Sequence, residues 1–152
     1  MSTSLLYHTQ GTKGFQFQSF GFAGGRATVH LTRKLKQFNC PVCNSIDVSP
    51  TPVGVRIVRA LPMGRLQCDL HVRTHRLRCH RCRAFRMEVL PFLPSPKARI
   101  TRALARTIIG LRSDMSIAAI ARYLDLHWCT VKDVEKAHLQ TKYKHISLKD
   151  VR

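Results

Sequence analysis

"NCPVCNS" (Asn39–Ser45) and "RCHRCRA" (Arg78–Ala84) repeat one Cys-x-x-Cys step, with 35 residues between Cys43 and Cys79. Paired cysteines serve as disulfides, as redox centres or as halves of a metal site. A redox step normally opens a helix inside a βαβ pattern, and neither step here does so. Stable disulfides belong to oxidising compartments. The opening "MSTSLLYHTQ" has neither the basic start nor the long apolar run of a secretory signal. The expected location is therefore the reducing cytoplasm, where clustered cysteines read first as metal ligands. Zinc takes four ligands at tetrahedral positions, about 2.3 Å away when they are thiolates. Cys40 and Cys43 supply one knuckle, Cys79 and Cys82 the other, and the segment between them has room for two strands and a turn. That is a zinc ribbon. His75 and His80 lie close enough to replace a ligand, although four cysteines already complete the shell. With no open position for water, one such ion is structural rather than catalytic.

Outward from the knuckles the pattern is first β and then helical. "LQCDLHVRTHRLR" alternates Leu66, Cys68, Leu70 and Val72 against Gln67, Asp69, His71, Arg73 and His75, so it predicts a half-buried strand with Cys68 in the core. "VGVRIVRALP" predicts its partner, with a turn at Pro62 and Gly64. Upstream, "FQFQSFGF" and "RATVHLTRKL" flank Gly24–Gly25 and predict a hairpin over 15–35. "LPFLPSPKAR" holds Pro91, Pro94 and Pro96 and predicts a stiff linker. Beyond it, Ile100, Leu104, Thr107, Ile108 and Leu111 form a helical stripe, and shorter helices are expected near 116–124 and 128–140. Cys129 lies far from the knuckles and is expected to be structural or incidental.

Twenty-six Lys and Arg stand against eight Asp and Glu, a net charge of +18. The excess is spread out: five cations and no acid in 1–39, ten against three in 40–98, eleven against five in 99–152. Folded units that are themselves basic favour a polyanion, nucleic acid above all. No apolar stretch approaches the ~20 residues of a membrane span. Arg73, Arg76, Arg78, Arg81, Arg83 and Arg86 surround the second knuckle and are expected to face phosphates.

"SIAAIARYLDLHWCTVKDVEKAHL" has the register of a helix-turn-helix. Ala121 takes the close crossing, and Ile117, Ile120, Leu124, Leu126, Val131 and Val134 lock the two helices together. Asp125 fills the turn slot, where a left-handed backbone is needed and Asp tolerates it. Trp128, Cys129, Lys132, Asp133 and Lys136 would then face a major groove. Trp128 packed on the first helix, and an ordinary three-helix bundle, are the plainer readings of the same pattern.

"CPVCNS", the "RALPMGR" turn, the strand into "RLRCHRC" and "RYLDLHWCTVKDV", taken in that order, resemble the N-terminal half of ISL-three family insertion-sequence transposases. So do "MSTSLLYH" and "FGFAGGRATVHL". The resemblance implies a hairpin region, a zinc ribbon and a helix-turn-helix ahead of a ribonuclease-H-like catalytic domain. It also implies a bacterial, nucleoid-associated protein that binds transposon ends and pairs with itself or with a full-length transposase. Relatives commonly carry Gly where this chain has Asn44. The family's first catalytic Asp follows a segment similar to "HISLKDVR", and this sequence stops at Arg152. None of its scattered acids can be matched to the three carboxylates that two-metal phosphodiester chemistry needs, so the expectation is a binding module and not an enzyme.

The expected fold class is α+β, a small β-hairpin plus zinc ribbon followed by a three-helix helix-turn-helix unit. Its parts are a hairpin region (1–39), the ribbon (40–89), the linker (90–98), the helix-turn-helix unit (99–141) and a basic tail (142–152) leading towards an absent catalytic domain. The expected partner is double-stranded DNA, with a zinc-ribbon protein of RNA or the ribosome as the alternative.

Overall fold

The computed structural model describes residues 2–34 and 38–144; the end of the expected basic tail, 145–152, lies outside the described residues. The fold is α+β. It divides into two compact units, Met1–Leu104 and Ala105–Arg152.

The first unit is built on one sheet. Strands β1 (Phe15–Ala23) and β2 (Arg26–Arg33) make the expected hairpin. Its two-residue turn uses Gly24 and Gly25 at φ 56° and 74°, and two positive φ values mark the turn whose twist suits a hairpin. Strands β3 (Val48–Met63) and β4 (Leu66–Cys79) form a longer antiparallel hairpin that turns at Gly64, φ 63°. The order β1-β2-β4-β3 follows from a parallel pairing of β2 with β4, Arg26–Leu31 against Gln67–Val72. The short β5 (Phe85–Met87) pairs antiparallel with β4 beyond the end of β2. The sheet thus takes strands from both the expected hairpin region and the expected ribbon. β3 begins earlier than its apolar run suggests, because Pro50 and Pro52 sit on an edge strand, where a missing N–H costs the ladder nothing.

Alternation along β4 places Cys68, Leu70 and Val72 in the core, all fully buried beside Val29, Leu31, Val58 and Ala60. Two segments cover this face. Helix α1 (Thr3–Gln10) has no counterpart in the sequence reading. Ser2 caps it by accepting the Leu5 N–H at 3.2 Å, and Gly11 ends it at φ 70°. Leu6 is fully buried, and the Gln10 amide clasps Leu61, donating to its carbonyl at 3.1 Å and accepting its N–H at 2.9 Å. The second cover is the proline-containing stretch expected as a linker. Leu90, Phe92 and Leu93 join the core cluster, and Phe92 meets Phe15 edge to face with centroids 5.3 Å apart. Its prolines hold three apolar side chains against the sheet. Ile100, placed on the helical stripe by its periodicity, bridges to Arg59 of β3 instead.

The second unit holds three helices. Helix α2 (Arg102–Leu111) enters it, followed by α3 (Ile117–Tyr123) and α4 (Trp128–Lys142), close to the expected spans. Ser116 caps α3 by accepting the Ala119 N–H. Ile108, Ile120, Leu124 and Val131 are buried, Ala121 nearly so, while Ile117, Leu126 and Val134 are half-buried. Arg112, just past α2, meets Glu135 of α4 at 2.7 Å. Among the described residues no helix is long and apolar enough to cross a membrane.

Candidate metal centre and nucleic-acid surfaces

Cys40, Cys43, Cys79 and Cys82 converge, all four sulfurs lying within 4.8 Å of one another. Cys40 Sγ is 3.6 Å from Cys82 Sγ and Cys43 Sγ is 3.5 Å from Cys79 Sγ, so each close pair joins one knuckle to the other. No cysteine is in a disulfide. For comparison, a tetrahedron with metal–sulfur bonds of about 2.3 Å has edges of about 3.8 Å. The donor set fits a single tetrahedral, thiophilic ion.

Local backbone chemistry builds each knuckle the same way. Asn44 donates its N–H to the Cys40 carbonyl, and the Cys40 N–H returns to Ser45. In the second knuckle the Cys79 N–H bonds the Ala84 carbonyl at 2.9 Å. The Val42 N–H points at Cys40 Sγ at 3.4 Å and the Cys82 N–H at Cys79 Sγ at 3.5 Å. To close these loops, the residue after the second cysteine adopts a left-handed backbone in both: Asn44 at φ 57° and Arg83 at φ 56°. Asn tolerates that backbone better than most residues, so Asn44 suits its place.

The sulfurs are electrostatically unequal. Backbone N–H groups of Cys43 and Val42 hold the Cys40 thiol down at about 6. At Cys82 the Ala84 N–H lowers the pKa, but desolvation and the neighbouring thiols outweigh it and push the group up to about 12. One thiolate here discourages the next, so four together call for a cation. Cys68 lies apart in the core, and burial raises its thiol to about 11. Cys129 is exposed on α4.

Neither histidine considered as a substitute ligand joins the cluster. His80 Nε2 bonds Ser49 Oγ at 2.7 Å, and His75 Nδ1 bonds Glu88 at 2.9 Å. Glu88, whose role the sequence reading missed, also accepts the His75 N–H and pairs with Arg33 of β2 at 3.3 Å. Phe38 lies 4.6 Å from the Arg33 guanidinium and 4.9 Å from the His75 ring. A buried carboxylate held by an arginine and a histidine ties the first hairpin to the end of β4. Its only advance signal was an isolated acid in an arginine-rich stretch.

The arginines of the second knuckle do not form one surface. Arg73, Arg76, Arg78, Arg81 and Arg83 are all exposed. Side chains alternate along a strand, so Arg73 lies on the opposite side of β4 from Arg76 and Arg78. Burial agrees: the covered side is that of Cys68 to Thr74 in the upper half and that of Leu77 and Cys79 near the knuckles. On α4, Trp128, Cys129, Lys132, Asp133 and Lys136 are all exposed. Trp128 is 46 % exposed, with Lys132 Nζ 5.1 Å from its ring. Asp125, between α3 and α4, has φ 49°, and the Leu126 N–H bonds the Ala121 carbonyl at 2.8 Å. The turn takes the left-handed backbone expected of it.

No family model and no solved structure matches the chain. A curated protein does: the transposase for insertion sequence element IS1001 of Bordetella parapertussis is 31 % identical over 121 residues. The match takes in 80 % of this chain and 30 % of that transposase, so the chain spans about a third of its relative's length. The structure and this likeness together describe a transposase-related chain with a four-cysteine cluster that could hold a metal ion.

Proposed function

We propose that the chain is a zinc-dependent, sequence-specific duplex-DNA-binding module of transposase type that recognises transposon ends. The observation that carries the reading is the α3–α4 pair with its left-handed Asp125 turn and the exposed Trp128, Cys129, Lys132, Asp133 and Lys136 of α4. In a helix-turn-helix the second helix enters the major groove and its first turns meet base edges. On α4 those turns present Trp128, Cys129, Lys132, Asp133 and Lys136. Arg73, Arg76, Arg78, Arg81 and Arg83 would serve as phosphate contacts, which fix orientation without reading sequence. Zinc on Cys40, Cys43, Cys79 and Cys82 would contribute folding free energy to a strand unit with a small core. On those ends the module would bind alone, as a self-associated pair or beside a full-length transposase. The likeness to the IS1001 transposase and the net charge of +18 support this reading.

The test is a salt-titrated binding assay on duplexes flanking the chain's own gene and on scrambled duplexes of equal length. Replacing Lys132 and Lys136 with Ala is expected to weaken flanking-duplex binding about tenfold or more and to narrow the preference over scrambled DNA. Equal affinity for both duplexes, unaffected by the substitutions, would refute the reading and favour RNA or ribosome binding.

A further inference from the structure

At the metal end of the sheet, one side of β3, β4 and β5 is open. Opposite residues of antiparallel strands project to the same side. The pairs Thr51↔Arg76↔Met87 and Ser49↔Arg78↔Phe85 therefore form two rows across three strands. All six side chains are exposed, with Phe85 at 52 % and Met87 at 42 %. The Arg76 guanidinium lies 5.3 Å from the Phe85 ring centroid. His80 stands at the end of the rows, bonded to Ser49. Among the described residues no carboxylate pairs with Arg76 or Arg78.

We propose that this face is a stacking platform for unpaired bases of a DNA single strand. An exposed aromatic ring beside unpaired guanidiniums offers a base its π-face and the adjoining phosphates their counter-charge. Met87 extends the apolar surface, and the hydroxyls of Ser49 and Thr51 supply hydrogen bonds along its far edge. A duplex can lay phosphates on Arg76 and Arg78, but it offers the Phe85 ring no base to stack on. Its bases expose only their edges, and a major groove about 12 Å wide admits a two-stranded ribbon rather than three strands. Phe85 follows Cys82 by three residues, so the second knuckle fixes the ring's place in β5. Strand recognition here uses none of the α4 side chains, so it can stand or fall apart from the duplex reading.

The test uses the full, zinc-loaded chain and fluorescence anisotropy with a labelled oligothymidylate of about ten nucleotides, alongside a hairpin duplex. Phe85→Leu, which keeps an apolar side chain of similar reach, is expected to weaken single-strand binding about tenfold. It should leave duplex affinity and the salt slope unchanged, while Phe85→Trp restores wild-type binding or better. Exchanging Arg76 and Arg78 for Gln should shrink the single-strand salt slope by about 1.4. Zinc content and melting temperature of each variant check that the fold is intact. The proposal is overturned if the wild type does not bind the strand, if Phe85→Leu binds as tightly as wild type, or if it loses both affinities equally. A Lys132→Ala, Lys136→Ala variant that loses duplex binding alone would leave the platform standing.

Discussion

Among the described residues three other than glycine carry positive φ, Asn44, Arg83 and Asp125, and each closes a tight loop on which a proposed binding surface depends. A left-handed backbone costs a non-glycine residue about 1–3 kcal/mol unless its side chain helps. Asn and Asp are the usual tolerant types, whereas arginine has no such compensation. Arg83→Gly is therefore expected to raise unfolding free energy by about 1 kcal/mol in the zinc-loaded protein, measured by denaturant titration, with zinc content unchanged. The cysteines divide equally sharply. Cys79→Ser should abolish metal binding by elemental analysis, because one sulfur of four is lost. Cys68→Ser should keep the metal and lower stability by about 1–3 kcal/mol, since it buries a hydroxyl in an apolar site. The four-cysteine cluster and the Asp125 turn were legible in the sequence because spacing along the chain specifies them locally. The left-handed Arg83 was not, because nothing about arginine announces that backbone.

At the scale of elements, alternation and glycine turns identified β1, β2 and β4, and helical periodicity found α2, α3 and α4 within a few residues. Helix α1 escaped because its burial is thin: Leu6 and Gln10 are its buried residues. Ser2 and Gly11 marked both of its ends. The segment from Leu90 to Ala98 was misjudged for the opposite reason. Its prolines exclude helix, but they do not exclude packing, and Leu90, Phe92 and Leu93 fill the core between them. Phe92 is among the largest fully buried side chains. Phe92→Ala should cost about 3–5 kcal/mol of stability in denaturant unfolding. A change within about 0.5 kcal/mol would mean the segment is a free linker after all.

For the whole chain, the feature least visible in the sequence is the parallel pairing of β2 with β4, which makes the two hairpins one sheet. Such a contact joins segments some forty residues apart and leaves no local periodicity. Its consequence is that the cysteine cluster, Glu88 bridge and core belong to one unit, Met1–Leu104, so loss of an ion held there should be felt across the sheet. On the proposed function, α4 in the other unit reads the duplex, and the phosphate contacts near the second knuckle would depend on the metal. The account therefore makes zinc a requirement for tight binding even though the base-reading helix holds none. The most direct measurement is affinity for the gene-flanking duplex before and after zinc is stripped with a chelator, and again after zinc is restored. The account predicts a loss of about tenfold or more, recovered on adding zinc, with strand circular dichroism lost and regained in step. Unchanged affinity in protein shown to have lost its zinc would contradict it.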